Sequence, residues 1–220
     1  MQINPSILSA DFANLEAELQ DISTADMAHI DVMDNHFVPN LTIGPQVVSR
    51  LVEVSLIPLD VHLMIADPDR WAPNYAELGA ASVTFHLEAA RNPIELARKL
   101  RGTGAKAAVA IKPGTQVSEL TELLTEFDMI LIMTVEPGFG GQPLLTDTLE
   151  KIKHARSLIT ETGSAITLQV DGGVTESNIA QLAELGADSF VAGSAIFNHP
   201  DRALEILKLR TLAQSASPKL

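Results

Sequence analysis

Short apolar segments alternate with amphipathic helical segments along the chain, and few folds accommodate this alternation. Apolar segments of this length that are joined by helices belong to parallel sheets covered on both faces. Eight such segments predict an α/β fold, a closed (β/α)8 TIM barrel, with a doubly wound open sheet as the alternative. The eight predicted strands are residues 3–8, 27–32, 58–64, 82–87, 106–111, 129–135, 166–170 and 189–192.

Helical segments separate or follow these strands, with apolar residues at helical spacing. They are residues 14–22, 68–78, 93–100, 118–127, 149–159, 178–185 and 202–212. A further segment, residues 42–56, is less regular because Gly44 and Pro45 delay its helix. No linker interrupts the pattern, so we expect a single domain over residues 1–220 with a frayed C-terminal tail at 214–220.

Composition excludes several classes of function. A net charge of −13 without a cluster of Lys and Arg argues against nucleic acid or an anionic membrane as a partner. No segment approaches the roughly 20 apolar residues of a membrane span, and the start of the chain is too polar for a signal peptide, so we expect a cytoplasmic protein. Because the chain has no cysteine, any metal site must use histidines and carboxylates.

In a (β/α)8 barrel the active site lies at the C-terminal ends of the strands. The polar residues expected there are His29, Asp31, His62, His86, Lys112, Glu136 and Asp171. Because His29 and Asp31 are two residues apart, their side chains point to the same face of one strand. Either His29 is a hydrogen-bonded core histidine beside a turn-forming Asp31, or the pair binds a metal.

Two more of these residues favour the metal. His62 and Asp171 are expected at the same level of the barrel, and two imidazoles with two carboxylates form a suitable site for Zn²⁺, Fe²⁺, Mn²⁺ or Co²⁺. His86 is predicted to support the site, by lining the barrel or by orienting a ligand. Three methionines at or beside strand ends are predicted to form an apolar lid: Met33, Met64 and Met133.

Glycine-rich turns follow three consecutive strands, in the sector where such barrels most often bind phosphate. Their backbone N–H groups can approach an anion closely, although any tight strand-to-helix turn also favours glycine. The predicted phosphate contacts are Gly138, Phe139, Gly140, Gly141, Gly172, Gly173, Gly193 and Ser194.

Several segments resemble the ribulose-phosphate 3-epimerase family over nearly the whole chain. The most specific is residues 133–142, MTVEPGFGGQ. The others are residues 5–8 (PSIL), 29–34 (HIDVMD), 36–40 (HFVPN), 84–88 (TFHLE), 110–115 (AIKPGT), 170–174 (VDGGV) and 193–196 (GSAI). One departure is Asn35, where the family commonly has Gly. Asn tolerates left-handed backbone geometry, so we expect the same turn.

The resemblance implies a barrel of the ribulose-phosphate-binding type that interconverts D-ribulose 5-phosphate and D-xylulose 5-phosphate in the pentose phosphate pathway. It implies a homo-oligomer, such as a dimer or hexamer. It also implies one divalent metal ion per subunit on His29, Asp31, His62 and Asp171, with Ser6, His62 and Asp171 beside the substrate. Inversion at C3 requires two acid–base groups. We predict that Asp31 and Asp171 alternate as base and acid around an enediolate whose charge the metal stabilises.

Three other functions are alternatives. A hexulose-phosphate (allulose-6-phosphate) 3-epimerase would use the same chemistry, but its relatives tend to have Ala and Ser where this chain has Gly140 and Gly173. A related sugar-phosphate decarboxylase or aldolase would carry Asp-x-Lys-x-x-Asp on the third strand, where this chain has His62 in place of the lysine. A sugar-phosphate-binding barrel without catalysis would be free to lose its acidic residues, and here all are present.

Overall fold

The structure, a computed structural model, describes residues 1–217. Their strands are β1 (Gln2–Pro5), β2 (Ala28–Met33), β3 (Leu59–Met64), β4 (Ser82–His86), β5 (Lys106–Ile111), β6 (Met129–Met133), β7 (Thr167–Asp171) and β8 (Ser189–Ala192). All neighbouring strands are parallel, in the order β1-β8-β7-β6-β5-β4-β3-β2. A parallel bridge between Ser6 and His29 brings the two edges together. The predicted (β/α)8 barrel is therefore confirmed.

Within residues 1–217 the α-helices are α1 (Leu15–Asp21), α2 (Pro45–Val54), α3 (Pro68–Glu77), α4 (Pro93–Gly102), α5 (Leu149–Thr162), α6 (Ile179–Glu184), α7 (Ser194–Phe197) and α8 (Arg202–Ala216). Helices α2, α3 and α4 begin with proline, whose missing N–H is not needed at a first helical position. The short α7 has no counterpart among the predicted helices, because four residues are too few to show a helical pattern. None of these helices combines the length and the hydropathy that a membrane span requires.

The end of the chain differs from the expected frayed tail. Helix α8 extends to Ala216, past the predicted end at residue 212. Leu209 and Ala213, four residues apart, are both buried, so the helix continues to pack against the barrel through its last turn. Residues 214–216 are therefore helical, while residues 218–220 lie outside the described part of the chain.

The connection between β5 and β6 also differs from the prediction. Instead of one α-helix over residues 118–127, it forms two 3-10 helices, Val117–Leu120 and Leu124–Glu126. A 3-10 helix has three residues per turn, so residues three apart share a face. Val117 with Leu120, and Leu124 with Phe127, form two such pairs, and all four side chains are buried. The tighter winding buries both pairs, and the predicted α-helix is wrong.

Along each strand, side chains point alternately into the barrel and outward to the layer between the sheet and the helices. Those on the outer face, such as Ile30, Val61 and Phe85, are fully buried under the helices. Inside the barrel, one apolar cluster consists of Ala110, Leu131, Met133, Val135 and Val191. The rest of the interior holds buried polar side chains: Asn4, His29, Asp31, Asp60, His62, Ser82, Thr84, His86, Gln169 and Ser189. Burying polar groups costs free energy unless they are hydrogen-bonded, so this polar part of the interior is the natural place to look for a function.

Candidate active site

A cavity of about 300 Å³ opens at the C-terminal ends of the strands, where the sequence predicts the site. The predicted site residues that line it are Ser6, Asp31, Met33, Met64, Met133, Gly138, Phe139, Gly140, Gly141, Asp171, Gly172, Gly173, Gly193 and Ser194. His29, His62 and His86 do not line the cavity and are fully buried. The tertiary structure thus brings all predicted site residues to one end of the barrel.

Four side chains from three strands meet at the base of this cavity: His29 and Asp31 on β2, His62 on β3 and Asp171 on β7. We call them the ligand cluster. His62 Nδ1 lies 3.3 Å from Asp31 Oδ1 and 3.5 Å from Asp171 Oδ2. His29 Nε2 lies 3.5 Å from Asp31 Oδ1, 3.8 Å from Asp171 Oδ2 and 3.4 Å from His62 Nδ1.

These separations fit a small divalent cation. Ligand bonds of about 2.0–2.1 Å in a tetrahedron place the ligand atoms about 3.3–3.4 Å apart. One atom from each of the four residues lies within 4.8 Å of every other, and the close separations, 3.3 to 3.8 Å, are near the tetrahedral value. Two nitrogen and two oxygen donors suit Zn²⁺ and its neighbours among the transition metals. The residues present therefore fit a metal.

The electrostatics of the ligand cluster favour opposite charges in close contact. Burial alone would raise the pKa of Asp31, but His29 and His62 outweigh it and hold this pKa well below its usual range. Burial would likewise lower the pKa of His29, but Asp31 and Asp60 raise it well above the usual value. Asp31 also accepts a hydrogen bond of 2.5 Å from Ser6 Oγ through its other oxygen, Oδ2. This bond leaves Oδ1 directed at the two histidines.

Each histidine of the ligand cluster has a hydrogen-bond partner on its far side. His29 Nδ1 lies 2.9 Å from Asp60 Oδ2, and Asp60 in turn accepts hydrogen bonds from Ser82 Oγ and from Gln169 Nε2. His62 Nε2 lies 3.0 Å from His86 Nε2. A ligating histidine with such a partner keeps one ring orientation, so both rings are held in place before anything binds.

His86 continues this second chain of contacts to Glu88. Its Nδ1 lies 3.3 Å from Glu88 Oε2, and burial lowers the pKa of His86 to about 4, against the opposing effect of Glu88. Burial would raise the pKa of Glu88, but hydrogen bonds from His86, from the Thr115 hydroxyl and from the Lys112 amide lower it to about 2. At neutral pH His86 is therefore neutral and Glu88 is ionised.

The glycine turns, residues 138–141, 172–173 and 193–194, also line the cavity. Gly173 has φ 66°, and a Cβ there would lie 2.9 Å from Gln142 O, so only glycine fits without backbone movement. Side-chain amides hold the turns in shape. Gln142 Nε2 donates to the carbonyls of Glu136 and Phe139, both at 2.8 Å, and Asn178 Nδ2 donates to Gly173 O at 2.8 Å.

The three predicted methionines all line the cavity, Met33 and Met64 in one apolar cluster and Met133 in another. Met33, Met64 and Met133 are each 2% exposed and line it. Met33 and Met64 pack with Val38, and the partly buried Leu8 and Phe37 pack against this cluster. The loop after β2 also contacts the first glycine turn, because Asn40 Nδ2 donates to Gly138 O at 2.8 Å. Apolar side chains thus line part of the cavity into which Asp31 and Asp171 project.

The chain also matches known proteins. The profile of the Ribulose-phosphate 3 epimerase family matches residues 2–197. The chain belongs to this family. It is 50% identical to a ribulose-phosphate 3-epimerase from Mycobacterium bovis, over 98% of this chain and 94% of that one. It is 46% identical to the ribulose-phosphate 3-epimerase of Escherichia coli (strain K12), over 95% and 94%. The resemblance and the predicted enzyme class, an epimerase, are confirmed.

Solved structures support the fold alone. The 3-keto-L-gulonate-6-phosphate decarboxylase of Vibrio cholerae superposes with a TM-score of 0.74 and 16% sequence identity, over 99% of each chain. At this identity the likeness concerns the barrel and not the reaction. Asn35 is the position at which this chain departs from the family pattern. Its φ of 58° is left-handed, as predicted for the turn.

Sequence reasoning on this epimerase missed several residues that support the site, and Asp60 and Thr134 are two of them. Asp60 contacts His29 Nδ1. Its position two residues before His62 puts both side chains on the same face of β3, like His29 and Asp31 on β2, and this spacing could have identified it. Thr134 donates its hydroxyl to the carbonyls of Asp171, at 2.9 Å, and Gly172, at 2.6 Å. No local pattern marks a threonine for this role, because the two acceptors are on another strand.

Two polar residues expected at strand ends lie outside the cavity. Lys112 Nζ lies 3.7 Å from the centre of the Phe37 ring, and Glu136 is exposed in the loop after β6. Neither lines the cavity.

Proposed function

We propose that the chain interconverts D-ribulose 5-phosphate and D-xylulose 5-phosphate by moving a proton at C3. The observation that carries the proposal is the pair of carboxylates at the base of one cavity. Asp31 comes from β2 and Asp171 from β7, three strands apart around the barrel. Inversion requires proton removal from one face of a carbon and return to the other, so two carboxylates from separate strands suit it.

One divalent cation per subunit belongs to this proposal. His29, Asp31, His62 and Asp171 would hold it, as the spacing of their donor atoms supports. When bound, such a cation supplies a Lewis acid that stabilises the negative charge of an enediolate. Zn²⁺, Fe²⁺, Mn²⁺ and Co²⁺ all suit two nitrogen and two oxygen donors.

The protein's own residues would divide the remaining work. Asp31 and Asp171 alternate as base and acid, so that each direction of the reaction begins from a different carboxylate. Ser6 holds Asp31 in place through Oδ2. The three methionines keep bulk water from the reacting carbon, which protects an enediolate from unwanted protonation.

Recognition of the phosphate is assigned to the glycine turns. They line the cavity beside Asp171, and backbone N–H groups bind an anion without adding positive charge to a protein of net charge −13. Ser194 begins α7, and the N–H groups at the first positions of a helix have no partner within it.

The hexulose alternative uses the same ligand cluster, so the substrate must be tested directly. Gly173 is required by its backbone geometry, which makes its identity uninformative about the substrate. At Gly140, by contrast, a Cβ would make only ordinary contacts, the nearest with Leu8 and Ser9 at 3.7 Å. The backbone does not require glycine at position 140. Gly140 is therefore the residue by which the sequence favours the pentulose over the hexulose.

The test is an assay of metal-reconstituted protein with D-ribulose 5-phosphate, beside a chelated sample and beside D-allulose 6-phosphate. We expect fast turnover of the pentulose, its loss on chelation and its return with added metal. Turnover of the hexulose alone would assign the alternative reaction. No turnover of either substrate by protein with bound metal would leave a binding protein and contradict the proposal.

We further propose that the protein is a homo-oligomer, as the family resemblance implies, and that it is cytoplasmic, as the polar start of the chain and the lack of a long apolar segment led us to expect. Leu204 and Leu207 on α8 are 46% and 56% exposed, and a second copy would cover such apolar side chains. Light scattering at several protein concentrations would give the mass of the assembly, and a mass of one chain throughout would contradict this part of the proposal.

A further inference from the structure

A row of side chains leads from the ligand cluster to Glu88, which lies outside the cavity. His62 directs Nδ1 at the carboxylates of Asp31 and Asp171 and Nε2 at His86 Nε2, 3.0 Å away. His86 Nδ1 then lies 3.3 Å from Glu88 Oε2. Both histidines are fully buried, so neither ring nitrogen can use water as a partner. The contact between His62 and His86 and the contact between His86 and Glu88 must therefore each hold one hydrogen.

The direction of these hydrogen bonds follows from Glu88. An ionised carboxylate only accepts hydrogen bonds, and Glu88 Oε1 already accepts from the Lys112 N–H at 2.7 Å and from the Thr115 hydroxyl. The hydrogen between Glu88 and His86 therefore belongs to His86 Nδ1. A neutral imidazole has one N–H, so His86 Nε2 accepts, and the hydrogen between the two rings belongs to His62 Nε2. With this hydrogen on Nε2, a neutral His62 carries none on Nδ1, and the Nδ1 lone pair can bind a cation placed between it and the carboxylates of Asp31 and Asp171.

We infer that Glu88 is a positioning residue that sets the tautomer of His62 through His86 and so frees His62 Nδ1 to bind the cation. This inference rests on the proposed function, because it assumes that the ligand cluster holds a metal. A ligating nitrogen must be free of hydrogen, and the partner of the other ring nitrogen decides which one is free. Glu88 would thus affect metal binding without contacting the metal, through His86 and His62.

The two histidines of the ligand cluster make the inference specific. His29 presents Nε2 to the centre and has a carboxylate, Asp60, directly on Nδ1. His62 presents the opposite nitrogen, Nδ1, and its far side meets a second histidine instead of a carboxylate. An imidazole can donate or accept, so His86 alone leaves the tautomer of His62 undetermined. Glu88 fixes the tautomer of His62 through His86, as Asp60 fixes the tautomer of His29 directly.

Glu88→Gln is the most informative variant, because it should reverse the direction of the hydrogen bonds from Glu88 through His86 to His62. The amide oxygen is needed by Lys112 N–H and Thr115, which leaves the amide NH₂ to face His86. His86 Nδ1 would then accept, and its hydrogen would move to Nε2. His62 Nε2 would have to accept in turn, which places its hydrogen on Nδ1, the nitrogen required for the metal.

The experiment uses the full chain loaded with Zn²⁺ and labelled with ¹⁵N-histidine. In the wild-type protein, NMR should show the His86 proton on Nδ1 and the His62 proton on Nε2. In metal-free E88Q the His86 proton should move to Nε2, and Zn²⁺ affinity, measured by chelator competition, should fall by about 10- to 100-fold. Glu136→Gln, the same change at an exposed carboxylate after β6, should leave Zn²⁺ affinity and both tautomers as in the wild type.

Two results would overturn the inference: a wild-type His86 that carries its proton on Nε2, or an E88Q protein that binds Zn²⁺ as tightly as the wild type. If E88Q does not fold, Glu88→Asp decides, because it keeps a carboxylate and should keep the wild-type tautomer of His86. The proposed function fails separately. Wild-type protein with the expected tautomers and bound Zn²⁺ but no epimerase activity would refute that function and leave the role of Glu88 intact.

Discussion

The ligand cluster and the glycine turns share one cavity, yet the chain builds them in opposite ways. The ligand cluster depends on side chains, each held by buried hydrogen-bond partners such as Ser6, Asp60 and His86. The glycine turns depend on the absence of side chains, because a Cβ at Gly173 would meet backbone atoms. The ligand cluster can therefore lose its chemistry and keep its shape, whereas a glycine turn loses its shape when a Cβ is added at Gly173.

The largest effect is expected in the ligand cluster. Asp171→Asn keeps the size of the side chain but removes a proton acceptor, so kcat should fall by about 10²- to 10⁴-fold while the fold remains. The measurement is the epimerase assay, with circular dichroism as the check on folding. Asp147→Asn, at an exposed position, is the matched control. Near-normal activity of Asp171→Asn would refute the two-base scheme.

In the glycine turns a single methyl group should change the structure itself. Gly173→Ala places a Cβ 2.9 Å from Gln142 O at a φ of 66°, so the free energy of unfolding should drop by about 1–3 kcal/mol. KM for the sugar phosphate should rise with it. In Gly140→Ala the added Cβ lies 3.7 Å from Leu8, and we expect a stability change within about 0.5 kcal/mol. Urea denaturation compares the two variants, and equal losses would remove the contrast.

The contribution of Glu88 to the support of the ligand cluster can be tested by the pH dependence of stability. Its folded pKa of about 2 lies below the ordinary 4.5, so ionised Glu88 contributes stability that is present above pH 4.5 and lost as pH falls toward 2. Glu88→Gln should therefore be less stable than wild type at pH 7, by about 1–2 kcal/mol. The difference should shrink as pH falls below 4.5. Urea denaturation at several pH values measures it, and a difference that is constant from pH 7 to 3.5 would contradict the assignment.

The smallest effect is expected at Thr134, which supports both regions at once. Its hydroxyl donates to the carbonyls of Asp171 and Gly172, and Thr134→Val should cost about 1 kcal/mol of stability. Because Asp171 belongs to the ligand cluster and Gly172 to a glycine turn, kcat should fall and KM should rise, each by a small factor. Steady-state kinetics separates the two parameters. A change in only one of them would show that Thr134 supports one region.

The fold could be predicted because its signals are local. Strand boundaries differ from the predicted ones by at most three residues, and β5 and β8 have the predicted bounds. The exception is the connection between β5 and β6, where two 3-10 helices replace an α-helix. Its apolar spacing satisfies both kinds of helix, and the choice is made by the space that the neighbouring elements leave for its buried pairs.

The sequence by itself determined the alternation of strands and helices, the candidate metal ligands and the glycines of the turns, because each is visible in residue type and spacing. Only the tertiary structure decided which side chains meet. The β2–β3 register sets Asp31 opposite His62, and the packing of the loops after β4 and β5 brings Glu88 to Thr115. Such contacts join residues that are far apart in the chain, and their geometry depends on strand register and barrel closure, which no local pattern encodes.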